Sequence, residues 1–146
     1  MERASRLPLI VSAPATTSLA AVADQPVGWL GTLGLDGQPH LVPVWFVWDG
    51  QAITILGKPG CRKFRNIEHS TDVALAIERE GMASVLIRGT ADLVGRAGEG
   101  LGQAFDKKYG SVLSELGWSA QRFMTTYSQV ASISPTWCSS YGALGE

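Results

Sequence analysis

The sequence has few of the residues that carry most side-chain chemistry. Two histidines, His40 and His69, and two cysteines, Cys61 and Cys138, stand in 146 residues. The cysteines show no CxxC spacing and no metal-ligand pattern, so no metal site is expected and two reduced thiols are. No spacing suggests a Ser–His–Asp arrangement, and each histidine reads first as structural. Charge is scarce too: charged residues make up 17% and the net charge is −1. Such a balance supplies no global field to recruit nucleic acid or an anionic membrane. An anion site must therefore be a local basic cluster. No apolar run reaches the ~20 residues needed to cross a bilayer. The N-terminal run Leu7 to Val11 is broken by Pro8 and is shorter than the ~7–15 residues of a signal-peptide core. Residues 1–16 are accordingly read as a tail, with cytoplasmic location as the default expectation. Internal repeats and low-complexity segments are also missing.

What is present is apolar: 45% of residues are hydrophobic, which predicts one globular domain, residues 17–146, around one sizeable core. The most legible region is a three-strand meander, Val27 to Leu35, Gln38 to Trp48 and Gln51 to Leu56. Its turns are Asp36-Gly37 and Asp49-Gly50, dipeptides suited to two-residue hairpins that need positive φ. Counting back from them puts Thr32 opposite Leu41 and Pro43 opposite Leu56. The middle strand is apolar on both faces, with His40, Val42, Val44, Phe46 and Trp48 on one and Leu41, Pro43, Trp45 and Val47 on the other. An open sheet would normally keep one polar face. Two apolar faces imply a barrel interior on one side and a surface covered by a helix, a partner subunit or a ligand on the other.

Around the meander, a first helix is expected from Thr16 or Thr17, capped by either hydroxyl and ended by Pro26. A short helix over Cys61 to His69 should bury Phe64 and Ile67. Strands are expected at Asp72 to Glu78, with Val73, Leu75 and Ile77 alternating, and at Ser84 to Val94, with Val85, Ile87, Gly89 and Ala91 on one face. Ala97 to Lys108 reads as a helix weakened by three glycines, and Trp118 to Thr126 as another. Gln129 to Ser134 is a last strand that Pro135 to Tyr141 extends or uses to wrap an edge. Six strands with small helices predict a mainly β chain built as a small closed or nearly closed barrel.

The chemistry concentrates in Gly60-Cys61-Arg62-Lys63-Phe64-Arg65-Asn66. A helix start bears unpaired N–H groups and partial positive charge. Arg62, Lys63 and Arg65 are out of place there unless an anion such as phosphate is bound, and Gly60 lets backbone approach an oxyanion closely. The competing reading is a solvated basic face paired with Glu68 or Glu78. Pro43, mid-strand, cannot donate to a ladder and marks a bulge. Beside it, the backbone of Val42, Val44 and Trp45 is available to the polar edge of a planar heterocycle. Of the five tryptophans, Trp45 and Trp137 are the candidates to stack on a ring; the others are read as core or interface.

The runs Pro39 to Gly50 and Gly60 to Ile67, with Asp72-Val73-Ala74-Leu75-Ala76 and Arg88-Gly89-Thr90-Ala91, resemble the pyridoxamine 5′-phosphate oxidase-like proteins. The likeness covers residues 17–95 and returns faintly at Pro135 to Tyr141. It implies a six-stranded split β-barrel working as a homodimer, with two cofactor sites at the interface that take FMN or the deazaflavin coenzyme (coenzyme F-420). Carried over, it implies that Arg62 and Lys63 hold the phosphate, that Lys58, Arg65 and Asn66 support the same end, and that the backbone of Val42, Pro43, Val44 and Trp45 meets the ring. The partner would close the site through Trp137 and Tyr141. True pyridoxamine phosphate oxidases end in a segment rich in tryptophan and arginine, whereas this chain has no arginine after Arg122. A general reductase of quinones, activated alkenes or tetrapyrroles fits better, by hydride transfer to a small apolar substrate. The alternatives are a carrier of flavin, deazaflavin or haem, with His40, His69 or Tyr141 as axial ligand, and a cofactor-free dimer.

Overall fold

The computed structural model describes residues 13–79, 83–96 and 99–142. Its elements are α1 (Ala13–Val22), β1 (Gly28–Leu33), β2 (Pro39–Val44), β3 (Phe46–Trp48), β4 (Ile53–Gly57), α2 (Arg62–His69), β5 (Asp72–Arg79), β6 (Ala83–Arg96), α3 (Glu99–Glu115), α4 (Ala120–Thr126) and β7 (Gln129–Gly142). The strands form one antiparallel sheet of seven, in the order β2-β1-β5-β6-β7-β4-β3.

Seven strands appear where six were expected because the long middle strand divides at Trp45. Its first part, β2, pairs with β1, and its second, β3, pairs with β4. These two pieces end opposite sides of the sheet, yet a single residue joins them. Successive Cα atoms lie ~3.8 Å apart, so the two sides of the sheet must meet. The sheet is thus rolled into a barrel with an unzipped seam between β2 and β3, which is a split β-barrel.

Both turns differ from the expected two-residue form centred on Asp-Gly. In the first, Leu33 faces Pro39, the Gly34 N–H donates to the Gln38 carbonyl at 2.8 Å, and the Gly37 N–H donates to that of Gly34 at 2.9 Å. The loop therefore holds three residues, closing on Gly37 at φ +82°, and Thr32 sits opposite His40, not Leu41. A tight turn followed by a left-handed glycine is the usual three-residue solution. In the second, the Asp49 N–H donates to the Ala52 carbonyl at 3.2 Å, so Gly50 and Gln51 are the central pair. The Asp49 carboxylate holds that turn, accepting from the N–H groups of Gln51 and Ala52 at 2.8 Å each. Pairing shifts by two residues, to Phe46 opposite Ile55. Pro43 faces Trp29 on β1 and never meets Leu56, which pairs with Val130 on β7.

The two apolar faces of the middle segment have different owners. Val44 and Phe46 point into the barrel, among Leu30, Ile53, Ile55, Phe64, Leu75 and Ile77. Trp45 and Val47 point outward into a second cluster with Phe105, Tyr109, Leu113 and Phe123, covered by α3 and α4. On that same outer side Leu41 remains 64% exposed and Pro43 is also exposed.

The alternating burial expected for β5 and β6 is present: Val73, Leu75, Ile77, Val85, Ile87 and Ala91 are all in the core. Helix α1 starts at Ala13, ahead of the expected Thr16 or Thr17, with Pro14 in the first turn where its missing N–H costs little. Helix α3 runs on to Glu115, past the expected end at Lys108. Phe105, Tyr109 and Leu113 recur every fourth residue and are all buried, and that packing outweighs the glycines. Helix α4 begins at Ala120, not Trp118, because Ser119 caps it, its hydroxyl accepting from the Arg122 N–H at 3.0 Å. Strand β7 extends through the whole of Pro135 to Tyr141.

Candidate functional site

Helix α2 packs against β1 and β6. Phe64 and Ile67, each 1% exposed, enter the barrel core. Asn66 is fully buried and donates through Nδ2 to the Thr32 hydroxyl at 3.0 Å, which ties the helix to β1. With Phe64, Asn66 and Ile67 facing in, Arg62 and Arg65 project to the exposed side and Lys63 lies half-buried with its ammonium 5.4 Å from the Phe64 ring. The helix start has no acidic residue in its first turn, and its N-cap residue, Cys61, makes no side-chain capping bond. The Phe64 N–H donates to the Cys61 carbonyl at 3.1 Å, which leaves the N–H groups of Arg62 and Lys63 beside three cations. Just before it, Gly60 adopts φ +76°, and a Cβ there would meet nothing within 4 Å. Its N–H donates to the Gln129 side chain at 3.3 Å. Arg62 and Arg65 border a cleft of about 250 Å³ with Leu35 and Asp36.

The candidate ring-contact segment lies on a free edge. Strand β2 pairs with β1 on one side and, among the described residues, with nothing on the other. Val42 packs on the barrel core, Val44 is buried, and Pro43 is exposed. Trp45, at the seam, stacks on Tyr109 with ring centroids 4.3 Å apart and planes parallel within 1°. Pro43 and Trp45 line a cavity of about 350 Å³ with Leu113, Trp118, Phe123 and Tyr127. The ammonium of Lys58 lies 5.7 Å from the Tyr127 ring.

Trp137 occupies a third place, the outer face of the sheet, with the Arg88 guanidinium 4.5 Å above its ring. A bulge brings it there: Arg88 pairs with Trp137 but Gly89 pairs with Pro135, so Thr136 is the extra residue, its hydroxyl donating to the Arg88 carbonyl at 3.3 Å. Arg88 and Trp137 line a cleft of about 680 Å³ with Leu33, His40, Leu41 and Asp72. A neighbouring cleft of about 370 Å³ shares Leu41, Arg88 and Trp137 and reaches Trp29. Tyr141 pairs with Ser84 on this sheet, and its side chain lies outside the described residues. The candidate residues thus fall into three clefts on one chain: the α2 start, the seam at Trp45, and the outer face at Trp137.

Sequence reasoning missed Lys108 and Tyr109, which close the seam. The Tyr109 hydroxyl accepts from the Phe46 N–H at 3.0 Å and donates to the Pro26 carbonyl at 2.8 Å. The Lys108 ammonium donates to the Phe46 carbonyl at 2.7 Å and lies 3.5 Å from the Phe46 ring centroid. These side chains satisfy backbone groups that the broken ladder leaves unpaired. Burial depresses the Lys108 pKa to about 8, against the attraction of Asp24, and raises that of Tyr109 to about 12, against its bond to Phe46. The helical spacing of Phe105, Tyr109 and Leu113 was the available signal. Among the described residues two buried side-chain polar atoms lack partners, Asn66 Oδ1 and His40 Nδ1, both on residues that adjoin Thr32. Cys61 and Cys138 are free thiols, and burial pushes the Cys138 thiol up. Among the described residues no group of three or more His, Cys, Asp or Glu gathers as a metal site.

Several solved structures share this fold. An F420 reductase is 22% identical with a TM-score of 0.63, the match covering 82% of this chain and 94% of that one. An FAD-binding protein from Mesorhizobium loti is 22% identical with a TM-score of 0.61, covering 88% and 91%. HutZ, the haem storage protein from Vibrio cholerae, is 17% identical with a TM-score of 0.62, covering 89% and 93%. No curated protein matches the sequence. The model of the pyridoxamine 5′-phosphate oxidase family matches residues 16–141. With the split barrel, the seam at Trp45 and the cationic start of α2 in place, the chain belongs to the pyridoxamine 5′-phosphate oxidase family.

Proposed function

We propose that the chain is a flavin- or deazaflavin-dependent oxidoreductase that works as a homodimer and transfers hydride between FMN, or the reduced deazaflavin, and a small conjugated substrate. The observation that carries this reading is the start of α2. Its first turn holds no acid and no side-chain cap and carries Arg62, Lys63 and Arg65, a combination that destabilises a helix unless an anion compensates it; Asp36 borders the same cleft as Arg62 and Arg65. Those donors fit a phosphate. Arg62 and Lys63 would hold it, with Arg65 and Lys58 beside it or along an acidic tail. Asn66 fixes the helix on Thr32. The free edge of β2 from Val42 to Trp45 suits the polar edge of a ring system.

The bound cofactor supplies the hydride chemistry, and the protein positions it and excludes water. Within one chain the α2 start, the seam at Trp45 and Trp137 line separate clefts; in this reading Trp137 reaches the site from the partner subunit. The outer face also keeps Trp29 46%, Leu33 42% and Leu41 64% exposed, an apolar patch of the kind that marks interfaces. In this reading a second subunit covers that face and brings Trp137 and Tyr141 to the site. The names of the F420 reductase and the FAD-binding protein that share the fold agree with it. The test is titration of the purified protein with FMN and with the deazaflavin coenzyme, followed by fluorescence. Tight binding of one selects the cofactor class, and binding of neither overturns the reading.

A haem-binding role is the second reading. His40 lines the 680 Å³ cleft and its buried Nδ1 has no partner among the described residues, and a haem storage protein shares the fold. Haemin titration would decide it, since an axial imidazole shifts the haem spectrum and His40→Ala would abolish that shift.

A further inference from the structure

The cavity at the seam has a composition of its own. Its walls are Trp45, Trp118, Phe123, Tyr127, Leu113 and the exposed Leu116, with Pro43 at the edge strand, and among the described residues no acidic side chain lines it. The aromatic walls brace one another: Trp45 and Phe123 centroids are 5.3 Å apart, Phe123 and Tyr127 5.0 Å, and Trp118 and Tyr127 6.2 Å. Tyr109 backs Trp45 on its stacked face. A wall of interlocked rings keeps its shape when empty, so binding there carries little ordering cost. Two cations lie against these walls. The Arg122 guanidinium stands 3.9 Å from the Trp118 ring centroid and the Lys58 ammonium 5.7 Å from that of Tyr127. Neither forms a salt bridge among the described residues, and Arg122 and Lys58 are exposed. Flat apolar walls with unpaired cations beside them are complementary to a flat apolar molecule with an anionic substituent.

We propose that this cavity binds a planar aromatic anion, such as an aromatic carboxylate, and is the substrate seat of the oxidoreductase. As a substrate seat it rests on the function proposed above; as a binding site it does not. Its volume of about 350 Å³ admits one small fused-ring compound and lies within the range of small-molecule sites. The site also sits apart from the cationic start of α2, whose cleft is lined by other residues, so cofactor phosphate and substrate anion need not compete.

The experiment is equilibrium titration of the full-length protein, without added cofactor, with 2-naphthoate and with its neutral isostere 2-naphthamide, read by tryptophan fluorescence. Trp45 and Trp118 line the cavity, so occupancy quenches them directly. Naphthoate should bind saturably and about three- to tenfold more tightly than the amide, the preference expected from one exposed charge-assisted contact. Arg122→Gln should remove most of that preference and leave amide binding unchanged, while Trp118→Leu should weaken both ligands. Absence of saturable quenching or equal affinity for the two ligands would overturn the proposal. So would loss of self-association in Leu116→Asp together with undiminished naphthoate binding in Trp118→Leu, since the cavity would then be a contact between copies. Naphthoate binding in a protein that takes neither flavin would leave the site standing and sink the redox function. Flavin binding without naphthoate binding would do the reverse.

Discussion

At the residue scale, the pair at the seam makes opposite demands on pH. Lys108 has a folded pKa of about 8, below its ordinary 10.5, because burial disfavours the cation. A depressed pKa contributes stability that is present above 10.5 and lost as pH falls to about 8. Tyr109 has a folded pKa of about 12, above its ordinary 10, because burial disfavours the phenolate. Its contribution is present below 10 and lost as pH rises to about 12. Together they place their best joint stability near pH 10, between the Lys108 rise that begins at about 8 and the Tyr109 fall that ends at about 12. Urea midpoints across this range should rise and then fall. Lys108→Met should flatten the rise and Tyr109→Phe the fall, while the Tyr109 change also costs about 1–3 kcal/mol for the Phe46 and Pro26 groups it leaves unpaired. A wild-type profile flat from neutral pH to 11 would contradict this account. Lys63→Ala, by contrast, should leave stability nearly unchanged and weaken cofactor affinity by about 1.5–3 kcal/mol if its ammonium bonds a phosphate. Equal affinity in a titration would remove Lys63 from the site.

At the element scale, the bulge in β6 and β7 rests on one glycine. A Cβ on Gly89 would stand 2.6 Å from the Ser134 carbonyl oxygen and 2.9 Å from Ile133 Cγ2. The first of these is backbone and cannot swing aside. Gly89→Ala should cost about 1–3 kcal/mol by overpacking, and it should disturb the Arg88–Trp137 stack that the bulge sets. Denaturant unfolding measures the first effect and tryptophan fluorescence the second. A neutral substitution would mean that the strands part easily here. Helix α4 depends on its cap in a more ordinary way. Ser119→Ala removes the acceptor for the Arg122 N–H and should cost about 1 kcal/mol.

At the scale of the molecule, the outer face of β2, β1, β5 and β6 asks for a cover. Its exposed residues, Trp29, Leu33 and Leu41, adjoin Gly31, Ala74 and Ala76, small side chains that leave the face flat. Sedimentation at micromolar concentration should show a dimer. Leu41→Asp should shift it toward monomer and weaken flavin binding at the same time, because the proposed site draws on both subunits. A stable wild-type monomer, or a Leu41→Asp monomer with full flavin affinity, would refute the shared site.

Local chemistry in the sequence determined the elements. Phe64 and Ile67 on one face of α2, the alternation of β5 and β6, the two apolar faces around Pro43 and the cations at 62, 63 and 65 all stand in the structure as read. These are periodicities and end effects, decided within a few residues. Tertiary structure alone decided the division of the middle strand at Trp45, both turn registers and the sealing of the seam by Lys108 and Tyr109. An Asp-Gly pair fits two- and three-residue loops alike; the need to keep Leu30 and Val42 facing inward together selects the first register, whereas the second, displaced by two residues and so neutral to facing, is held by the Asp49 carboxylate. Which side of a rolled sheet each half of a strand joins is settled by closure, a property of all seven strands at once. The likeness to the family covered residues 17–95 in the sequence reading, whereas the family match runs from 16 to 141. The remainder, α3 through β7, contributes by packing around the seam, with Tyr109 reaching back to Phe46 and Pro26, contacts that leave no local motif.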